Sequence, residues 1–501
     1  MFRCLLYTYQ KTLCCYHTGG ILMLKRLERL FYARNIAIIG ATSQRDWGWS
    51  NGNAWIAGSF KMGFQGAIYP VHPKVRTISG LKAYPTILDI PDEIDFAVFT
   101  VPLAVVPQVM DQCVKKGVKF VHLLTAGYSE TGASDNAEVE KSLIETARKG
   151  GVRVIGPNCM GVYCPEGGLS WSSDFPAQPG STGLFSQSGQ LGYQIVVHGA
   201  DQGLLYSKVV SFGNASDLQA HDFLSYLAQD DKTEIIGAYI EGLKDGRSFL
   251  EVAKETTLKK PLVIWKGGQT QGGSRATQSH TAALSGAQHI WHAMCRQTGI
   301  IMVHSMDEMV FTIKALQALR KPNGKNVAIL GGAGGGSVTM TDFAEKEGLK
   351  VPPLMDETIH RMGEFVPIEG NSIRNPLDIV PAIMPTRANE GNLLRVMELI
   401  RDDGNIDAMI FSFSPKRICD IYGKSALNDY LHLCLEAAER LEKPLFICLP
   451  RENNWQMDIL RREAEEWFQN AGVTTFPDFR LAARVMRNMT KYSDYLSLHG
   501  A

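Results

Sequence analysis

The sequence predicts an α/β protein of three domains, each built on a parallel sheet. Short apolar runs alternate with amphipathic stretches along most of the 501 residues, the order of βαβ units in a doubly wound sheet. The apolar runs end in Gly, Thr or Pro, which puts ligand-binding turns at their carboxyl ends. The theme then restarts twice, each time at a strand that feeds a glycine-rich or serine-rich turn.

The first block covers residues 23–165. NIAIIGAT reads as a strand, 53–62 as a helix and GAIYPVHPK as a second strand. FAVFTVP, a helix over 105–117, FVHLLTAG, a helix over 136–150 and VRVIGPN complete it. The second block, 166–322, opens with STGLFSQSGQLG as strand, tight turn and helix. YSKVVSFGN, EIIGAYIEGL and PLVIWKGG come next as strands, with helices over 218–229, 248–258 and 307–319. The third block, 323–495, starts at NVAILGGAGGGS and continues through DAMIFSF, KPLFICLP and a helix around 481–491. Residues 1–22 carry three cysteines and no acid, unlike the rest of the chain, and are expected to be a disordered tail or a misassigned start ahead of Met23.

Lys and Arg together number 51, as do Asp and Glu, so no net field draws nucleic acid or an anionic membrane. No apolar run approaches the roughly 20 residues of a membrane span. Ten scattered cysteines form no CxxC pair and no metal-like spacing with His. That pattern suits reduced thiols in the cytoplasm and no resident metal.

The chemistry concentrates at four places. Lys266 to Gly286 comes after the strand PLVIW and has almost nothing apolar to bury, which reads as a mobile loop. It carries one imidazole, His280, between Ser279 and Thr281, a nucleophile that a loop can move between sites; an ordinary solvated loop with an incidental His is the alternative. The turn Gly40–Arg45, with Thr42, Ser43, Gln44 and Arg45, lacks a dinucleotide fingerprint, and its neighbouring strand ends in Lys74 instead of an acid. Hydroxyls and N–H groups at a helix start beside a cation suit a phosphorylated nucleotide such as coenzyme A or NADP. Two further turns, Ser186–Gly192 and Gly331–Ser337, offer helix N-termini to an anion through Ser186, Ser188 and Gly189 and through Gly334, Gly335 and Gly336. Glu241 closes a strand, where its carboxylate can orient an imidazole; a surface pair with Lys244 or Arg247 is the bland alternative. There is no HExxH, GxSxG elbow or P-loop, hence no obvious site for ATP.

Taken together, IAIIGATS, YPVHPK, VIGPNCMGV, GLFSQSGQLG, YIEGLKDGRSF, SRATQSHTAALSG, GGAGGG and NPLDI resemble the α subunit of ADP-forming acyl-CoA synthetases (acetate–CoA ligase, ADP-forming), in the succinyl-CoA synthetase superfamily. The likeness covers about residues 24–495. It implies a Rossmann-like CoA-binding domain followed by two flavodoxin-like CoA-ligase domains. It implies that His280 is phosphorylated during turnover and oriented by Glu241, and that Ser186, Ser188, Gly189 and Gly334 to Gly336 bind phosphate. Coenzyme A would lie on Thr42, Ser43, Gln44, Arg45, Lys74, Leu124, Thr125 and Ala126, and Tyr193 near the acid. No ATP-grasp region is present, so ATP/ADP with Mg would bind a separate β subunit, in an α2β2 assembly. The rival readings are a CoA-binding regulatory protein without catalysis and an NAD(P)-binding oxidoreductase.

Overall fold

The computed structural model describes residues 27–42, 52–281, 287–332, 334–384, 386–452, 454–455 and 458–500, without the side chains of 278–281. The expectations for residues 1–22, Ser43, Gln44, Arg45 and the His280 side chain lie outside the described residues. Residues up to His304 form one compact unit and those from Ser305 another.

The first unit holds two sheets. In the first, β1 (Asn35–Ile39), β2 (Ala67–Val71), β3 (Phe96–Phe99), β4 (Phe120–Leu123) and β5 (Arg153–Ile155) run parallel in the order β2-β1-β3-β4-β5. The strands read as unbroken apolar runs because helices cover both faces. On one side α2 (Val106–Lys116) and α3 (Ser134–Lys149) bury Val106, Met110, Leu143 and Ile144 against Ala97, Phe99 and Val121. On the other, α1 (Gly52–Lys61) lays Trp55 edge-on to Phe96 with ring centroids 5.7 Å apart. Chain order reverses between β1 and β3, which opens a crevice over their carboxyl ends.

In the second sheet, β6 (Gly161–Tyr163), β7 (Thr182–Ser186), β8 (Tyr206–Ser211), β9 (Ile235–Ile240), β10 (Leu262–Lys266) and β11 (Ile301–Val303) lie in the order β11-β10-β9-β7-β8-β6. All pairs are parallel except β6 with β8. Here the reversal falls between β7 and β9. The helices are α4 (Gly189–Asp201), α5 (Ala220–Gln229), α6 (Gly246–Thr257), α7 (Gln271–Thr281) and α8 (Gln288–Thr298). Buried Asp217 ties the two sheets together: it takes Arg148 Nε at 2.7 Å, Arg153 Nε at 2.8 Å and the Val154 N–H at 2.8 Å.

Helix α7 replaces the loop expected over 266–286 at Gln271–Thr281, and 282–286 lie outside the described residues. The Thr270 hydroxyl accepts the Gly273 N–H at 3.0 Å and its carbonyl accepts the Ser274 N–H at 2.7 Å, so threonine caps the helix. Two glycines in the first turn cost about 1 kcal/mol each, which the cap and packing offset.

The second unit starts with α9 (Met306–Ala318), capped by the Ser305 hydroxyl at the Glu308 N–H, 3.1 Å. Its sheet is β12 (Val327–Leu330), β13 (Ala408–Ser412), β14 (Leu445–Cys448) and β15 (Thr475–Phe476), parallel and in that order. After β12 comes α10 (Gly335–Lys346). Helices α11 (Asn392–Asp402), α12 (Pro415–Arg440, broken at Gly423) and α13 (Ile459–Asn470) cover one face. Helix α9 and α14 (Phe479–His499) cover the other.

Candidate functional site

Strand β7 delivers Ser186 to the crevice of the second sheet. The Ser186 hydroxyl donates to the Ser188 carbonyl at 2.7 Å, and the Ser188 hydroxyl caps α4 by accepting the Leu191 N–H at 3.3 Å. Gly189 is there because a Cβ would stand 2.4 Å from Met160 Cγ. The α4 terminus so placed brings roughly half a positive charge to the crevice.

Across the crevice Glu241 follows the end of β9, and Gln187 joins the two sides. Its amide oxygen accepts the N–H groups of Glu241 and Gly242, the latter at 2.9 Å, while its own N–H donates to the Tyr239 carbonyl at 3.0 Å. Glu241 is only 4% exposed and accepts the Tyr239 hydroxyl at 3.3 Å. Burial, then the Glu241 charge, pushes that phenol up. The surface pair entertained for Glu241 does not describe such a buried group, and Arg247 pairs instead with Glu251 at 3.4 Å.

His280 lies in the last turn of α7, whose root is fixed beside Glu241. The Gly267 N–H donates to the Ile240 carbonyl at 2.9 Å, and a Cβ on Gly267 would stand 2.4 Å from the Tyr239 hydroxyl. Gly268 comes next at φ +70°, while Gly272 and Gly273 are helical. Helix α7 packs against the turn Ser129–Thr131, in the loop that leaves β4. That turn is pinned by Glu130, which accepts the N–H groups of Gly127 at 2.6 Å and Tyr128 at 3.1 Å and the Asn214 amide at 2.6 Å. Burial raises the Glu130 carboxyl, but the Asn214 and backbone donors outweigh it and hold it below the usual value.

At the first sheet, Thr42, Lys74 and Leu124–Ala126 come after β1, β2 and β4 and so share one carboxyl edge. Gly40 has φ +97°, and a Cβ on it would stand 2.5 Å from the Thr100 carbonyl oxygen, so glycine alone lets β1 turn this close to β3. Asn53 clamps Thr42, accepting its N–H at 3.1 Å and donating to its carbonyl at 2.9 Å. Lys74 is exposed, and His72 Nδ1 accepts its backbone N–H at 3.1 Å. Thr125 turns its hydroxyl to the Val101 carbonyl at 2.7 Å, and Ala126 is exposed. Tyr193, one turn into α4, donates to Asp174 at 2.7 Å; burial and then Asp174 push its phenol up to about 12. Cys159 and Cys164 are buried, and burial pushes the Cys164 thiol up to about 12.

The third turn belongs to the second unit. Gly334 precedes α10 at φ +56°, and its N–H donates to Asp378 Oδ2 at 2.7 Å, so a carboxylate of the chain takes one donor expected for phosphate. At Gly335 and Gly336 a Cβ would meet nothing within 4 Å among the described residues, so crowding within the unit does not require glycine there. Sequence reading missed Gln187, Asn53, Asp378 and Lys266. Gln187 had one signal, its place between two serines of a phosphate-type turn. Among the described residues no group of His, Cys, Asp and Glu is arranged for a metal, and no helix is long and apolar enough to cross a membrane.

Residues 34–165 match the CoA binding domain family, and 179–316 the succinyl-CoA ligase like flavodoxin domain family. The chain is 37% identical to the α subunit of Pyrococcus furiosus ADP-forming acetate–CoA ligase II over 386 residues, covering 77% of this chain and 81% of that one. It is 34% identical over 474 residues to Archaeoglobus fulgidus ADP-forming acetate–CoA ligase II, covering 93% of this chain and 67% of that longer protein. A solved structure of Ca. Korarchaeum cryptofilum acetyl-coenzyme A synthetase 1, in complex with phosphate and ADP, superposes with a TM-score of 0.79 at 28% identity, covering 95% of this chain and 99% of that one.

Proposed function

The chain belongs to the family of ADP-forming acetate–CoA ligases, and we propose that it is the α subunit of such an enzyme, converting a small carboxylic acid, CoA and ATP reversibly to acyl-CoA, ADP and phosphate. What supports this reading above all is the Gln187 bridge. It gathers the Ser186–Gly189 helix start and buried Glu241 at one strand-order reversal, beside the root of the helix that bears His280.

The chemistry starts from what a carboxylate lacks. It is a poor acyl donor because its oxygen is a poor leaving group; phosphorylation supplies a good one. A His280 ring nitrogen bonds to the γ-phosphorus of ATP as the bridging P–O bond breaks and ADP leaves. The acid oxygen then takes the phosphoryl group from the imidazole. The CoA thiol gives up its proton and attacks the acyl carbon, and inorganic phosphate departs. Glu241 orients the imidazole and stabilises its protonated form. The helix terminus at Ser186, Ser188 and Gly189 offsets the phosphoryl charge without any Lys or Arg, and the turn Gly334 to Gly336 of the other unit is a further phosphate-binding helix start once Asp378 gives up the Gly334 N–H. CoA lies along Thr42, Ser43, Gln44, Arg45, Lys74 and Leu124–Ala126, where exposed Lys74 suits a phosphate, and Tyr193 faces the acid. ATP and Mg bind a separate ATP-grasp β subunit, in an α2β2 assembly working in the cytoplasm; relatives named as α subunits are in keeping with a second chain.

Reconstitution tests this. Mixed with a matched ATP-grasp chain, acetate, CoA and MgATP should yield acetyl-CoA with one ADP per turnover, and His280→Ala should abolish it. Acetyl-CoA formed by the chain alone, or with release of AMP, would overturn the reading.

A further inference from the structure

Lys266 ends β10 and is 4% exposed. A cation so deeply placed would ordinarily meet a carboxylate. Its Nζ instead donates to two main-chain carbonyls, that of Glu241 at 2.7 Å and that of Gly267. It also lies 5.2 Å from the centroid of the Trp291 ring. Glu241 follows the neighbouring strand, Gly267 begins the approach to α7, and Trp291 stands on α8, the helix after the His280 segment. The ammonium therefore touches the orienting glutamate's backbone and both flanks of the segment that bears the imidazole. The Lys266 carbonyl extends the anchor: it accepts the Gln269 amide at 2.7 Å, and Gln269 Oε1 in turn meets His304 Nδ1 at 3.1 Å.

We propose that Lys266 is a positioning residue for phosphoryl transfer, holding the Glu241 strand end and the roots of the His280 segment in one register. The inference rests on the proposed role of His280. Its physical mark is the mismatch between what the lysine costs and what it does. Burial lowers the ammonium to about 8, and the Glu241 charge only partly restores it. The elements around it carry the titratable groups Tyr239 on β9, Glu241 just after that strand, and His289, His292, Cys295 and Arg296 on α8, with His304 reached through Gln269. An apolar side chain of similar length would spare the protein that burial and forgo the two carbonyl contacts, opposing effects that leave little net stability to account for a lysine here.

The test uses the full chain with its ATP-grasp partner and compares wild type with Lys266→Met and Lys266→Arg. In Lys266→Met, kcat should fall about tenfold or more while KM for CoA stays within about twofold, since two charge-assisted contacts are lost away from the CoA edge. The thermal midpoint should hold or rise. Lys266→Arg, which keeps the charge and the donors, should recover part of kcat. Unchanged turnover in Lys266→Met overturns the inference, and so does a kcat loss that comes with a falling midpoint, which marks a merely structural lysine. If wild type itself takes no phosphoryl group from γ-labelled ATP, the His280 reading fails, an outcome distinct from normal labelling in all three proteins.

Discussion

Gln187 carries more of this site than its sequence suggests. It satisfies two buried N–H groups on the far strand, those of Glu241 and Gly242. Gln187→Leu should cost roughly 1–3 kcal/mol per orphaned donor in urea unfolding. Glu241→Gln keeps the volume and removes the charge, so phosphorylation of His280 should slow roughly 10–100-fold with little loss of stability. Lys266 adds a pH signature. Between about 8 and the ordinary lysine value the unfolded chain holds a proton that the folded chain has lost. Stability therefore rises as pH climbs through that window, and the burial penalty is fully present below about 8. Lys266→Met should flatten the slope, read as thermal midpoints at about pH 7 and about pH 9.5. Glu241, Ser186 and Ser188 stood out in the sequence because polar residues beside strand ends break an apolar pattern, and His280 as the one imidazole of a stretch with almost nothing apolar to bury. Gln187 and Lys266 did not, because their significance lies in contacts across strands, and a lysine at a strand end reads as solvated.

At the scale of the elements, most strands of the three sheets were legible because helix-covered parallel strands are continuous apolar runs, whereas β11 and β15, three and two residues long, were not. Helix α7 was not. Its composition, QGGSRATQSHT, has no apolar stripe, and what makes it helical is the Thr270 cap and packing on the Ser129–Thr131 turn. Strand β6 escaped because three residues bounded by prolines and glycines give no usable period. Helix α12 escaped because Gly423, at φ +89°, interrupts it. The glycine turns, by contrast, were plain, and geometry explains two of them alike. Gly40 approaches the Thr100 carbonyl at φ +97°; Gly331 approaches that of Ser412 at φ +102°, where a Cβ would stand 2.0 Å from the oxygen. Gly331→Ala should destabilise the second unit by on the order of 2–5 kcal/mol, from backbone strain plus overpacking. Chemical denaturation followed by circular dichroism would read it. A nearer-neutral result would mean that β12 and β13 part easily.

The first two sheets share one device, a parallel strand that delivers a helix start to a strand-order reversal, while the sheet of the second unit runs in simple chain order and keeps only the glycine turn after its first strand. In the first sheet the reversal faces the Thr42 and Leu124 edge, and in the second it faces Glu241 and the root of α7. In the second unit the corresponding turn already holds the Asp378 carboxylate on the Gly334 N–H. Asp378→Ala should lose roughly 1.5–3 kcal/mol of second-unit stability for that charge-assisted bond. The central claim is that one imidazole on this scaffold carries a phosphoryl group between nucleotide and acid. The most direct measurement is to incubate the chain with its ATP-grasp partner and γ-labelled ATP and then locate the label by peptide mapping. The account predicts acid-labile label on His280, discharged when a small acid and CoA are added and absent in His280→Ala. Label that persists in His280→Ala, or that maps to another residue, would contradict it.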